Sequence, residues 1–219
     1  MMNLAIINPQ KNIVKKQPTV EIAESDQSAL RSSVNNAVNN CVQSPPLFYT
    51  KDGHVLYMGG MYSGSSAFFV GGGPSFNNLD YKRLNDAGCL TWGVNNTVKT
   101  FRPNFWTCVD DPQRFMKSIW LDPKIQKFVP MSFVNKPLFD NETWKMMNKK
   151  VGDCPNVIYF KRNERFDVNR FLFEGTINWG NHKDYGGGRS VMLSSLRMMF
   201  YLGFTKIFLL GVDFRMSEN

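Results

Sequence analysis

Histidine and cysteine are scarce in this chain, and the scarcity removes several chemistries at once. The 219 residues include two histidines, His54 and His182, and four cysteines, Cys41, Cys89, Cys108 and Cys154. No CxxC pair occurs, and no second His, Cys or carboxylate stands at metal spacing beside His54. No structural zinc or other metal site is therefore expected, and His54 reads as a surface strand residue. Cys89 and Cys108 lie inside apolar runs and read as core residues, which together with the scattered spacing implies a reducing compartment. Long apolar runs are missing as well. Nothing approaches membrane-spanning length and the first residues lack the apolar core of a signal peptide, so neither a membrane span nor secretion is expected. Aromatic residues are absent from residues 1–46, and neither GxGxxG nor GxxxxGK[ST] appears anywhere.

What is present is a globular composition: 42% hydrophobic and 14% aromatic, enough to bury a good core as one large domain or one domain plus an arm. The formal charge of +8 favours an anionic partner (nucleotide, nucleic acid or phosphorylated surface), or else serves solubility alone. No RRM, KH or helix-turn-helix pattern occurs, so a nucleic-acid partner is not expected. Residues 1–46 are rich in Asn, Ser, Gln and Val, with at most a weak helix over 21–38. They read as an extended or partner-bound N-terminal arm, which if ordered is held by another protein chain or by the body of the protein. Pro45 and Pro46 mark the boundary, and residues 47–219 form the domain.

Within the domain, short apolar runs alternate with helical patterns. Residues 47–50 and 54–58 read as a hairpin about Asp52-Gly53. Residues 67–70 read as a buried central strand followed by Gly71-Gly72-Gly73-Pro74-Ser75. The turn is either an anion cradle of N–H donors at a helix start or a surface turn that binds nothing, and spacing does not choose between them. Strands over 88–94 and 105–109 end in Asn95-Asn96 and Asp110-Asp111, and a last apolar strand over 206–212 ends in Asp213. Ligands of open parallel sheets bind beyond such carboxyl ends, so three polar endings in succession point to a cleft. Helices are expected over 80–87, 113–120, 141–150 and 191–202, the last opened by Arg189 and Ser190 and stopped at Gly203. Residues 162–188 form a long irregular connection, a candidate lid that carries His182.

The blocks GGGPSFNNLDYKRL at residues 71–84, Gly93-Val94-Asn95-Asn96, Val109-Asp110-Asp111-Pro112, and LGFTKIFLLGVDF at residues 202–214 resemble the bacterial lipooligosaccharide sialyltransferases and the motility accessory factor glycosyltransferases. The match runs in order over about residues 67–214. It implies an α/β fold with a Rossmann-like, mostly parallel sheet, flanking helices and a preceding N-terminal arm. It further implies binding of a CMP-activated sugar and a glycan acceptor, without a cofactor. The family's nucleotide-binding positions fall on Gly71, Gly73, Pro74, Ser75, Asn95, Asp111, Arg189 and Ser190; Gly72, Asn96 and Asp213 border them.

The sequence also departs from the family pattern. Gly72 stands where the sialyltransferases have an asparagine, Asp111 where they have a neutral amide, and Arg215 where they have an aromatic residue. The family continues with a C-terminal lid and a basic histidine where these 219 residues end, which leaves His182 as the local candidate base. Loss of a general base costs roughly two to four orders of magnitude in rate. Two readings follow: a CMP-sugar-dependent glycosyltransferase of the cytoplasm, or a structural or attachment protein of a virus or large assembly that keeps the fold without activity.

Overall fold

In the computed structural model, residues 47–161 and 190–213 are described. The arm, the candidate lid with His182, Arg189 and Arg215 lie outside them.

The chain enters through a hairpin, β1 (Phe48–Tyr49) and β2 (Val55–Leu56), turned at Gly53 with φ +84°. The next strands are β3 (Ser66–Val70), β4 (Thr91–Val94), β5 (Phe105–Thr107) and β6 (Gln126–Pro130). A separate antiparallel hairpin follows, β7 (Pro137–Asp140) and β8 (Lys145–Lys150), then β9 (Val157–Phe160) and β10 (Lys206–Leu210). The main sheet has the order β10-β3-β4-β5-β6-β9-β1-β2. From β10 to β9 every pairing is parallel, and the β9–β1 and β1–β2 pairings are antiparallel. The architecture is thus α/β in character, with a large, mostly parallel sheet and few helices.

Alternation along the strands covers both faces. One face carries Phe69, Trp92, Phe105, Phe128 and Phe160, packed under helix α3 (Val191–Tyr201), whose Leu196, Met198 and Met199 join the same cluster. Trp92 stacks on Phe128 at 4.9 Å, and its indole N–H donates to Thr107 Oγ1 at 3.0 Å, so the largest buried side chain brings no unpaired donor inside. The other face carries Trp106, Val129 and Tyr159 against Phe115, Ile119, Trp120 and the β7–β8 hairpin. Among the described residues, no helix is long and apolar enough to cross a membrane.

Two expected helices are not formed. Over 113–120 the chain makes a 3-10 turn, Pro112–Arg114, and a four-residue helix α2 (Lys117–Trp120), because Phe115 takes extended geometry and drops its ring edge-on against Trp106 at 5.3 Å. Over 141–150 helical propensity loses to tertiary burial. Leu138 and Met147 pack into the second core from adjacent strands, while Asp140 accepts from Glu142 N–H within the hairpin turn. Helix α1 (Tyr81–Asp86) begins where expected, capped by Asp80, whose carboxylate accepts from Arg83 N–H at 3.2 Å.

At the amino edge of the sheet the Lys127 side chain is fully buried. Its ammonium donates to the carbonyls of Asp122, Ile125 and Pro155 at 2.7, 3.0 and 2.9 Å. These three bonds tie the turn before β6 to the start of β9.

Candidate functional site: a cavity at the carboxyl edge

From β3 the chain steps to β4 on one side and, after four strands of this sheet (β4, β5, β6 and β9), returns as β10 on the other. The order therefore reverses at β3, and the loops leaving β3 and β10 diverge. In open parallel sheets that divergence opens a crevice. A cavity of about 710 Å³ lies there, within the range of small-molecule sites. Its polar wall comes from Gly71 and Gly72 after β3, Asn95 and Asn96 after β4, Ser190 at the start of α3, and Asp213 after β10. Phe69, Phe76, Val94 and Val212 give an apolar floor.

The glycine turn is built differently from a free anion cradle. Gly71 N–H donates to Leu210 O at 2.8 Å, Gly73 N–H to Gly211 O at 2.7 Å, and Ser75 N–H to Asp213 Oδ2 at 2.9 Å. Three amides of the turn are therefore taken by the end of β10, and a carboxylate already occupies the start of the 3-10 turn Pro74–Asn78. No α-helix dipole stands behind this turn, because a five-residue 3-10 turn follows it. A Cβ on Gly71 or on Gly73 would lie 2.7 Å from Gly211 O, so the approach of two backbones requires glycine at both positions. Gly72 alone has room: a Cβ there would meet only Thr97 Cγ2, at 3.7 Å. Its N–H makes no hydrogen bond among the described residues. Gly73, Pro74 and Ser75 stand behind the cavity wall and do not line it.

Asn95 is held in left-handed geometry, φ +49°, which asparagine tolerates better than most residues. Its carbonyl accepts from Trp106 Nε1–H at 3.0 Å, which fixes the turn to the core. Its side-chain Oδ1 is buried and has no hydrogen-bond partner among the described residues. Such a group costs free energy unless something else fills the need. Asp213 Oδ1 likewise has no partner among the described residues, while Oδ2 serves Ser75. Asp213 is the only charged side chain among the described residues of the wall.

No family model, curated protein or solved structure matches the chain. The chemistry of the site therefore rests on its geometry. Unpaired acceptors at Asn95 and Asp213, a hydroxyl at Ser190, and the open N–H of Gly72 suit a ligand rich in hydroxyl and amino groups with a flat apolar part.

Asp111 is not part of this constellation. Its carboxylate accepts from Gln113 N–H at 3.1 Å and pairs with Lys136 Nζ at 2.9 Å, and the Lys136 hydrogen bond holds its pKa below the usual carboxylate value. β5 contributes no residue to the cavity wall. Because the pair is solvent-exposed, Asp111→Asn is expected to change stability by less than about 1 kcal/mol. That contribution is present at neutral pH and is lost as pH falls through the lowered pKa; urea melts at pH 7 and pH 3 measure it. Thr97 and Met192 also line the cavity without having been singled out in the sequence. Thr97 was legible in principle, since it follows Asn95-Asn96, and its hydroxyl donates to Val94 O at 2.8 Å and closes that turn.

Proposed function

We propose that the cavity binds a nucleotide sugar, and that the chain is a glycosyltransferase-like protein of CMP-sugar-dependent type on a Rossmann-like sheet. The observation that carries this reading is Asn95, in the wall of a cavity at the point where the strand order reverses, with a buried Oδ1 that has no partner among the described residues. The nucleoside lies along Gly72, where the backbone admits close approach, and donates an amino or hydroxyl group to Asn95 Oδ1. Asp213 Oδ1 accepts from a sugar hydroxyl. The phosphate lies towards Ser190, away from Asp213, because the carboxylate and the consumed amides make the glycine turn a poor anion site. Helix α3 starts at that end of the cavity, carries no acidic residue in its first turn, and favours negative charge there. Arg189 adjoins Ser190 in sequence and supplies charge in this reading; His182 remains the proposed base for the acceptor hydroxyl.

Calorimetric titration with CMP and UMP tests the assignment. CMP is expected to bind, and Asn95→Gly, which keeps the left-handed backbone without strain, is expected to weaken it at least about tenfold, equivalent to ~1.4 kcal/mol. Absence of heat with CMP at millimolar concentration sinks the reading, as does an Asn95→Gly protein that binds CMP as well as the parent.

A further inference from the structure

The β7–β8 hairpin presents a surface that neither the core nor the cavity explains. In its register Phe139 lies opposite Met146, and Asp140 opposite Lys145. Leu138 and Met147 turn to the core, which leaves Phe139 and Met146 on the outer face. At the turn Trp144 is 79% exposed, with its ring edge-on to Phe139 at 6.1 Å, and it is held at φ +55°. A bulky residue in left-handed geometry, with most of its ring in water, gains little for the fold.

The charges around the ring are sorted. Lys117 Nζ reaches Asp140 at 3.0 Å and Glu142 at 2.6 Å, which draws Asp140 back to the body and neutralises Glu142 where it stands exposed. These hydrogen bonds hold Asp140 down to about 2 and push Lys117 up. Lys145, Lys149 and Lys150 are exposed along β8 and make no ion pair among the described residues. Beside the aromatic platform of the outer face, β8 thus carries exposed cations, of which Lys145 lies on the same face as its cross-strand partner Asp140. The hairpin also borders the carboxyl edge: β7 packs on the 3-10 turn Pro112–Arg114 after β5, and β5 is two strands from β3, about 10 Å across the sheet.

We propose that this hairpin is a docking surface for a carboxylated oligosaccharide. The Trp144 ring stacks on a sugar face, and Lys145, Lys149 and Lys150 pair with carboxylates farther along the same saccharide. The exposed Asn141, Thr143 and Asn148 offer amide and hydroxyl groups to sugar hydroxyls. A bilayer fits less well, because inserting the ring would bury residues 141–143, all polar and exposed at the same tip. A nucleic acid fits less well because its phosphates, one on every nucleotide, would also meet Glu142, 77% exposed at the tip, where a saccharide presents uncharged hydroxyls. The choice of a saccharide rests on the nucleotide-sugar reading of the cavity; the surface itself does not.

The test is thermophoresis of the full chain with hyaluronan and oligogalacturonate octasaccharides, alongside maltooctaose, an oligo(dT) of similar length, and phosphatidylserine vesicles. At least one carboxylated saccharide is expected to bind. Trp144→Gly accepts the left-handed backbone and removes the ring, and is expected to weaken that binding by about tenfold or more, equivalent to ~1.4 kcal/mol. A K145Q/K149Q/K150Q variant is expected to bind more weakly and with less salt dependence. CMP binding, measured on the same proteins, is expected to be unchanged. The proposal is overturned if neither carboxylated saccharide binds at millimolar concentration, or if Trp144→Gly binds as the parent does. Equal binding of maltooctaose, or tighter binding of oligo(dT) or vesicles, overturns it too. CMP binding without saccharide binding removes the hairpin proposal and leaves the cavity reading; the reverse outcome does the opposite.

Discussion

Lys127→Met is expected to lower stability by about 3 kcal/mol, a fall in Tm of about 10 °C for a chain of this size. Two effects oppose each other. Burial of the ammonium lowers its pKa from 10.5 to about 8, a penalty of roughly 3 kcal/mol that methionine relieves. Against this, the ammonium donates three bonds, at 2.7 to 3.0 Å, to carbonyls of two separate turns, each worth roughly 1.5–3 kcal/mol with a charged donor. Methionine leaves all three carbonyls without that partner, so the loss outweighs the relief even when water reaches one of them. The pH dependence has a definite sign. The folded chain binds the Lys127 proton less tightly than the unfolded chain, so the penalty is present in full below pH 8 and fades as pH rises towards 10.5. The stability gap between parent and variant is therefore expected to widen between pH 8 and pH 10.5. Urea denaturation at pH 7, 8.5 and 10 measures it, and a variant as stable as the parent at pH 7 contradicts the account.

Gly211→Ala and Gly71→Ala are expected to cost about 3 kcal/mol each, while Gly72→Ala, in the same tract, is expected to stay within about 0.5 kcal/mol of the parent. Gly211 sits at φ +64°, and a Cβ there would run into the carbonyl of Gly71. A Cβ on Gly71 would stand 2.7 Å from Gly211 O. Neither neighbour is a side chain that can rotate away; each is the backbone of the adjacent strand end. At Gly72 the nearest atom is a methyl group in ordinary contact. Thermal melts of the three variants separate the two roles in the tract. Under the nucleotide-sugar reading Gly72→Ala, though stable, narrows the cavity wall and weakens CMP binding several-fold. Equal destabilisation by all three substitutions contradicts this division.

Individual elements show how far a sequence carries such an argument. The apolar runs at residues 67–70 and 206–212 both read as strands covered on both sides; β3 is central and largely buried, whereas β10 is the edge strand of the sheet and only half-buried. Helix α3 was legible through its apolar spacing and the glycine after it, and Gly203 indeed turns at φ +96°. The 141–150 segment was not legible: Lys-Met-Met-Asn-Lys-Lys has good helical propensity, and only the burial of Leu138 and Met147 on the core face of the hairpin selects a strand. The meeting of Gly72, Asn95 and Asp213 follows from strand endings, which sequence reading can align, and Ser190 joins them from the start of α3. That Asp111 is held apart from them follows from its pairing with Lys136, 25 residues away, which no local pattern announces.

Local chemistry alone thus determined where the parallel strands lie, that polar groups collect at their carboxyl ends, and that glycine follows β3. It did so because burial on both faces and backbone freedom each leave their mark in the residues themselves. What the glycines are for was decided only by the tertiary structure. Strand order brings β10 beside β3, the Gly211 carbonyl and the Asp213 carboxylate consume the amides of the turn, and Asn95, in the cavity wall, is left with a buried acceptor that has no partner among the described residues. Hydrogen bonds between segments more than a hundred residues apart depend on which strands become neighbours, and that is set by the packing of the whole sheet.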